Sequence, residues 1–577
     1  MTLHAPLRIP LGIDDFRTLR ESGLAYVDKT RLVCDVLDLN GVQALLLPRP
    51  RRFGKSLNLS MLRCFFERSD EDLAHLFEGL AVWHAGDLYR AHFQHYPVIY
   101  LNFKDVKADT FDACRVRLHK TIQVLFDAHR YVLEHAQVSE RQARDYRAVL
   151  AGTAGDEIYE RGLADLSALL HRYHGARAVI LIDEYDAPIH AGYTSGYARE
   201  VLGFFRAFLG GGLKGNPHLF KAVLTGILRV ARESIFSGLN NLATCSVLEP
   251  AFSTAFGFTQ AEVIDLLARA GRTDALAMVQ DWYNGYVFGG NVIYNPWSVL
   301  SFLQWGGDPE PYWLSTCSND LDDRIRHVLG LRAARLQPVL EGLLTGDFVE
   351  QILDESVVLD ELERSDRALW SLLVFSGYLK AEKHDVAPTG QAVYRLSIPN
   401  REVRIVYADT FRLWMEHRMA GHGGSLDELT RALLDGDAAG FERELQAFAL
   451  DLLSYHDGGT ARPENLYQGF IIGLLAVMEP THLVRSNRES GAGRPDVMIR
   501  PRAPGQPGVV LELKVARAAG NAAGSLDDAL DQGLAQLADN DYAAELRAAG
   551  ANPVHAFAVA FDGKQVRVRS ADTRAAR

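Results

Sequence analysis

Gly54, Lys55 and Ser56 follow the apolar run ALLL, and the apolar residues of LNLSMLRCFFER after them recur at helical spacing. A glycine–lysine–serine turn between a strand and a helix aims backbone N–H groups at phosphate oxygens. The stretch Arg52, Phe53, Gly54, Lys55, Ser56 and Leu57 would then cradle phosphates. In such a turn the lysine reaches the β- and γ-phosphates and the serine holds magnesium. A second apolar run, VILIDEYD, ends in Asp183 and Glu184. One carboxylate at that place stands in the magnesium shell and the next polarises the attacking water. Either pattern alone is common, as a tight turn or a solvated acidic strand end. Together, in this order, they predict a site for ATP and Mg2+. A third strand, KAVLTGILRV, carries Thr225, placed to report on the γ-phosphate. Arg229 and Arg232 just beyond it either neutralise charge on that phosphate or are surface charges.

Three more residues near the other end of the chain suit phosphodiester chemistry. Asp496 opens the strand DVMI, and Glu512 and Lys514 lie two apart on VVLELKVA, hence on one face of a strand. A hairpin would bring Asp496 beside them. Two carboxylates can hold Mg2+, which polarises the phosphate and acidifies a bound water, while the lysine steadies the developing charge. An E-x-K pair by itself is as often a solvated cross-pair.

One position departs from the phosphate-loop pattern: Arg49 stands five before Gly54, where the motif has its first glycine. Pro50 and the arginines 49, 51 and 52 predict a stiff, positive loop that favours phosphate binding over fast turnover. The blocks IDDFRTLRESGLAYVDKT, RPRRFGKSLNLSML, ILIDEYDAPI, LTGILRVARESIFSGLNNL, FGFTQAEV and WYNGYVFGGNVIYNPWSVLSFL resemble the signature of the bacterial AAA-ATPase-like family. That family's loop also reads R-P-R-R-F-G-K-S/T, which makes Arg49 a family feature. The resemblance implies an AAA-like core with a helical lid. The Asp496, Glu512 and Lys514 spacing resembles the PD-(D/E)XK nuclease core, which members of that family commonly carry at the C-terminus. On that resemblance Glu464 corresponds to an additional helix-borne acidic metal residue, and Gln532, with Tyr542 beyond it, to a glutamine after the lysine strand.

The elements that must position these residues alternate strand and helix to about residue 250, which predicts a parallel α/β sheet. Thr259 with Glu262 is a capping box opening a helix. The aromatic block Trp282–Trp297 would pack a lid or stack a base, with packing favoured. A helix and hairpin over LWSLLVFSGYLKAEKHDVAPTGQAVYRLSIP fit a winged helix. Helix, three strands, helix and strand follow, with RPRAPGQPG as a hairpin loop. The expected layout is an AAA-like P-loop core at 1–250, a helical lid at 251–320, a winged-helix-like connector at 321–415 and an α/β nuclease-like domain at 416–577.

Bulk properties bound the reading. With 577 residues, 48% hydrophobic and 23% charged, the chain is globular and of several domains. A net charge of −12 argues against a basic coat for nucleic acid, though not against one basic cleft. Five scattered cysteines, none in a CxxC pair, exclude a disulfide framework and a cysteine zinc cluster. His171 and His174 lack a third ligand and read as surface residues. No apolar run reaches the roughly 20 residues of a membrane helix. A cytoplasmic protein with no membrane partner is expected. It would couple ATP to Mg2+-dependent cleavage of nucleic acid, DNA ahead of RNA, as in defence or genetic conflict. An arginine finger from a neighbour would require a homo-oligomer. The alternative is an ATP-dependent switch with little turnover and a non-cleaving nuclease fold.

Overall fold

The computed structural model describes residues 7–229, 241–313, short stretches between 324 and 344, 346–356, 359–362, 364–408, 425–452, 463–478, 480–486, 495–516, 518–519, 522–523, 525–539 and 542–571. Its contacts separate two units, Met1–Val328 with Glu350–Glu402, and Leu329–Val349 with Val403–Arg577.

The first unit is built on five parallel strands: β1 (Ala44–Pro48), β2 (Val98–Asn102), β3 (Ala178–Asp183), β4 (Leu219–Gly226) and β5 (Leu242–Thr244). Their order is β2-β3-β4-β1-β5. Every residue of β1 and β3 is buried, which is why both read as unbroken apolar runs. The helices Lys55–Phe66 and Asp156–His174 both pack on β3. β5 has only three half-buried residues and so offers no run to read. Register does more for function than strand order. Asn102 pairs with Asp183, Ile182 with Leu224, and Leu47 with Thr225. One row at the carboxyl ends of the strands therefore runs Asn102, Asp183, Thr225, Leu47.

The expected lid contains the helices Gln260–Arg269 and Pro296–Gln304. The capping box is present: the Thr259 hydroxyl accepts from the Glu262 N–H, and the Glu262 carboxylate accepts the Thr259 N–H at 2.7 Å. The lid also holds a small antiparallel sheet that a purely helical reading omits. Its strands are β6 (Phe258–Thr259), β7 (Tyr286–Phe288) and β8 (Asn291–Tyr294), in the order β6-β8-β7. Phe288 pairs with Asn291, leaving Gly289 (φ 51°) and Gly290 (φ 86°) as a two-residue turn. That turn needs left-handed backbone at both positions, so the glycine pair in VFGGNV carries the signal. Further on, β9 (Val349–Ile352) precedes the helix Asp366–Phe375 and the hairpin β10 (Lys380–Val386) and β11 (Ala392–Ser397). The order β10-β11-β9 gives the expected helix and hairpin a third strand.

In the second unit the sheet is mixed. It comprises β12 (His482–Ser486), β13 (Val497–Pro501) and β14 (Gly508–Val515). A short pair follows, β15 (Ala518–Ala519) and β16 (Ala522–Ala523), then β17 (Val554–Asp562) and β18 (Gln565–Ser570). The main order is β12-β13-β14-β17-β18. β14 and β17 are parallel, and the helix Leu526–Asp539 in the crossover packs on both. No helix among the described residues is long and apolar enough to cross a membrane.

Candidate functional site

The row at the strand ends gathers the first cluster, and Arg49 is the key to its shape. The Arg49 N–H donates to the Gly226 carbonyl at 3.0 Å, so position 49 still belongs to the sheet ladder. The left-handed turns come later, at Arg52 (φ 66°) and Gly54 (φ 82°). No glycine is needed at 49. Its side chain turns inward and is fully buried. The guanidinium donates to the carbonyls of Pro48 and Cys245, each at 2.7 Å, and of Phe252 at 3.2 Å. It also lies over the rings of Phe256 at 5.1 Å and Phe288 at 5.7 Å. Burial pushes its pKa down to about 10. The arginine expected as loop charge is an internal tie between the loop and the segment after β5.

Lys55 opens the helix that Gly54 caps. Its ammonium is buried and donates to the carbonyls of Arg49 at 3.0 Å and Pro50 at 2.9 Å. Burial pushes the Lys55 pKa down, against the pull of Glu184, Asp183 and Asp186. A buried cation held by neutral carbonyls is a fit partner for phosphate.

The carboxylates opposite are held by donors. Asp183 is fully buried. It accepts from the Thr225 hydroxyl at 2.6 Å, the Glu184 N–H at 3.0 Å and the Asn102 amide at 3.2 Å. Glu184 sits at φ 48°. Burial raises its pKa; Lys55 pulls the value down, while Asp183 and Asp186 push it up. Asp186, also buried, accepts from the N–H groups of Ile227 at 2.7 Å and Leu228 at 3.0 Å, and bonds His190 Nε2 at 3.1 Å. Burial alone would raise the Asp186 pKa, but these bonds and the imidazole hold it below the ordinary value. Four described non-glycine residues have positive φ, and three of them, Arg52, Glu184 and Phe252, belong to this neighbourhood. Such backbone costs about 1–3 kcal/mol per residue and persists where the surroundings over-determine it.

Between these groups lies a cavity of about 460 Å³, within the size range of small-ligand pockets. Arg52, Phe53, Gly54, Lys55, Ser56, Leu57 and Glu184 line it, with Tyr26 and Val27 from the N-terminal segment. Trp297 lines it too and stacks on the Arg52 guanidinium at 4.0 Å. Asp183, Thr225 and Arg229 are not among its lining residues. Thr225 meets Asp183 instead, and Arg229, half-buried, has an unpartnered Nε. Arg232 lies outside the described residues. Sequence reasoning missed Asn102, Lys104, Lys107, Asp186 and His190. For Asp186 the D-E-Y-D repeat of acids was a signal; Asn102 and the lysines had none before register was known. The remaining aromatics of the block mostly pack, as expected: Tyr283, Tyr286 and Tyr294 are buried, and Phe288 meets Phe53 at 5.1 Å. His171 faces His218 and His174 faces Tyr131. Among the described residues no three histidines, cysteines or acids are grouped as a metal site.

In the second unit, Val497 pairs with Leu511 across the β13–β14 hairpin, which sets Asp496 opposite Glu512. The Asp496 carboxylate accepts the Leu513 N–H at 2.7 Å, and its carbonyl accepts from Gln468 at 2.8 Å. Glu512 is fully buried, with Lys514 Nζ at 2.7 Å from its Oε1. Its Oε2 is buried without a partner. Burial and then the charge of Asp496 push the Glu512 pKa up to about 7, with Lys514 opposing. An orphaned carboxylate oxygen beside a second acid fits a divalent cation. Asp496, Glu512 and Lys514 are thus brought together. Glu464 lies in the first turn of the helix Pro463–Leu475, and its side chain is outside the described residues. Gln532 is exposed on the helix Leu526–Asp539. Its neighbour Gly533 allows close approach: a Cβ there would lie 3.0 Å from that of Ala558 and 3.6 Å from Lys514 Cγ. Tyr542 is buried, its hydroxyl 3.4 Å from the Gln536 amide.

Residues 10–236 match the family model described as predicted AAA-ATPase, and residues 462–571 match that of the PD-(D/E)XK nuclease superfamily. A protein of Azotobacter chroococcum mcd 1, described as an uncharacterized protein in the vnfD 5′ region, is 28% identical over 561 residues, covering 96% of each chain. The Aeropyrum pernix ORC1 protein, solved in complex with DNA, is 14% identical with a TM-score of 0.24, over 68% of this chain and 96% of its own. That overlap is too loose to carry fold or ligand across.

Proposed function

We propose that this chain, which carries a AAA-ATPase-like domain ahead of a PD-(D/E)XK nuclease superfamily domain, binds and hydrolyses ATP in its first unit and cleaves nucleic acid in its second. The reading divides the chain into an ATPase core at 1–250, a lid at 251–320, a connector at 321–415 and a nuclease-like domain at 416–577, in a cytoplasmic protein.

The observation that carries the ATP reading is the buried Lys55 ammonium across a cavity from Glu184. The N-terminus of the helix Lys55–Phe66 offers its free N–H groups to phosphate oxygens, with backbone from Arg52 to Leu57 around them. Lys55 would exchange carbonyl partners for the β- and γ-phosphates. Ser56 and Asp183 would hold Mg2+, which when bound offsets charge on the phosphates. Glu184 would orient the attacking water and take its proton as the new P–O bond forms and ADP departs. Thr225 acts through Asp183, whose oxygen it holds.

For the second centre the carrying observation is the unpartnered Glu512 Oε2 beside Asp496. Asp496 and Glu512, with Glu464, would hold Mg2+, which supplies a polarised phosphate and an acidified water. Lys514, fixed by Glu512, would orient the water and steady the charge on the phosphodiester. DNA is favoured over RNA as the substrate.

The test pairs ATP binding and phosphate release with cleavage of duplex and single-stranded DNA and of RNA in Mg2+ or Mn2+. Lys55→Ala is expected to abolish the first activity and Asp496→Ala the second, each leaving the other site intact. Wild-type protein that binds ATP without hydrolysing it, and cuts no nucleic acid, would instead make the chain a nucleotide-dependent switch.

A further inference from the structure

We infer that the loop 103–108, after β2, presents Lys104 and Lys107 to the terminal phosphate of the bound nucleotide, as cations supplied by the same chain. The inference rests on the nucleotide reading above and assigns a role that the sequence offered to Arg229.

Both lysines line the cavity with Lys55 and Glu184, and Arg229 does not. The loop that carries them is fastened at both ends. At its start the Phe103 N–H donates to the Asp183 carbonyl at 3.1 Å, and the Lys104 N–H donates to Asn102 Oδ1 at 2.8 Å. The same Asn102 gives its amide to the Asp183 carboxylate at 3.2 Å, so one side chain spans loop and carboxylate. A turn follows, with the Val106 N–H donating to the Phe103 carbonyl at 3.0 Å, and both of these side chains are buried. At the far end the Tyr197 hydroxyl donates to the Ala108 carbonyl at 2.6 Å, and the Arg117 guanidinium donates to the Lys107 carbonyl. The apolar residues of the loop point in, while Lys104 is exposed and Lys107 half-buried.

Charge explains why such a loop is useful. Glu184 and Asp186 face the same cavity, with Asp183 just behind in the row. Three carboxylates would repel a terminal phosphate, and ADP would escape most of that repulsion. Two lysines offset it where a third phosphate sits. A backbone held in place before the nucleotide arrives need not be reordered to bring the two lysines to the cavity.

The inference therefore concerns discrimination between ATP and ADP. The test is calorimetric binding of ATP and of ADP, with Mg2+, to the full chain, together with phosphate release. The proteins are wild type, Lys55→Ala, the double variant Lys104→Ala/Lys107→Ala, and Lys107→Arg. The double variant is expected to bind ADP within about twofold of wild type, and ATP about tenfold or more weakly, with phosphate release slowed by about tenfold or more. Lys107→Arg, which keeps the charge, should recover most of the loss. Equal losses for ATP and ADP, or a double variant with wild-type ATP affinity and turnover, would overturn the inference while leaving the pocket assignment standing. If wild type and Lys55→Ala bind ATP alike, the pocket assignment itself fails and the inference falls with it.

Discussion

Replacing Arg49 by glycine restores the residue that phosphate loops place there, so two readings of Arg49 make opposite predictions. If Arg49 were a lesion in the loop, Arg49→Gly would improve nucleotide binding at no cost in stability. The structure predicts the reverse. The guanidinium makes two short bonds to carbonyls and one longer bond, and it covers two rings. Charged hydrogen bonds of this kind contribute about 1.5–3 kcal/mol each, and each ring about 0.5–1 kcal/mol. Against that stands the cost of burying the charge, on the order of 3 kcal/mol for a pKa brought to about 10 from 12.5. Taken at the lower ends of these ranges, a net of about 2–3 kcal/mol remains, and the emptied volume adds about 1–2 kcal/mol more. Arg49→Gly should therefore destabilise the first unit by about 4 kcal/mol, lowering its melting transition by roughly 4–8 °C for a unit of this size. Arg49→Lys should recover little, because one ammonium cannot reach three carbonyls on two sides. The assay is thermal and urea unfolding of the full chain with ATP titrations on the same samples. An Arg49→Gly protein that melts with wild type and binds ATP at least as tightly would refute the tie.

Two further outcomes follow from buried acids in the same unit. Glu402 is fully buried, bonded by the Ser298 hydroxyl and by the Trp313 N–H at 2.6 Å, and burial pushes its pKa up to about 8 from 4.5. Since its folded pKa is the higher one, unfolding releases a proton between these values and stability falls as pH rises, by up to about 1.4 kcal/mol per pH unit. Glu402→Gln should thus match wild type near pH 5 and melt higher near pH 8, and equal melting temperatures at pH 8 would contradict the burial argument. Asp186 has the opposite sign: its folded pKa lies below 3.8, so its contribution holds above that value and is lost as pH falls through it. Asp186→Ala strands two N–H groups and an imidazole and should cost about 3 kcal/mol at pH 7 in urea unfolding.

How much of this was legible beforehand depended on whether a feature is local in the chain. β1 and β3 could be read because a strand covered on both faces is apolar at each residue, and the chemistry at their ends, Lys55-Ser56 and Asp183-Glu184, is contiguous with those runs. Asp496, Glu512 and Lys514 could be read because a hairpin joins them, and the β13–β14 register does the rest. The third edge of the nucleotide cavity was not legible. Asn102 is one polar residue at the end of a short strand, and only its pairing with Asp183 shows that the lysine loop opens onto the same pocket. Arg49 was misread for a deeper reason. An arginine in a run of arginines reads as exposed, and what buries this one are the carbonyls of Cys245 and Phe252, far along the chain. The usual argument for glycine at that position is conformational, and it presumes that the turn begins there. Here the ladder bond to Gly226 extends the sheet by one residue and the left-handed backbone falls at Arg52 and Gly54. Once the turn is displaced, a Cβ at 49 costs nothing. The side chain it carries can then fasten the loop from behind, which a glycine could not do.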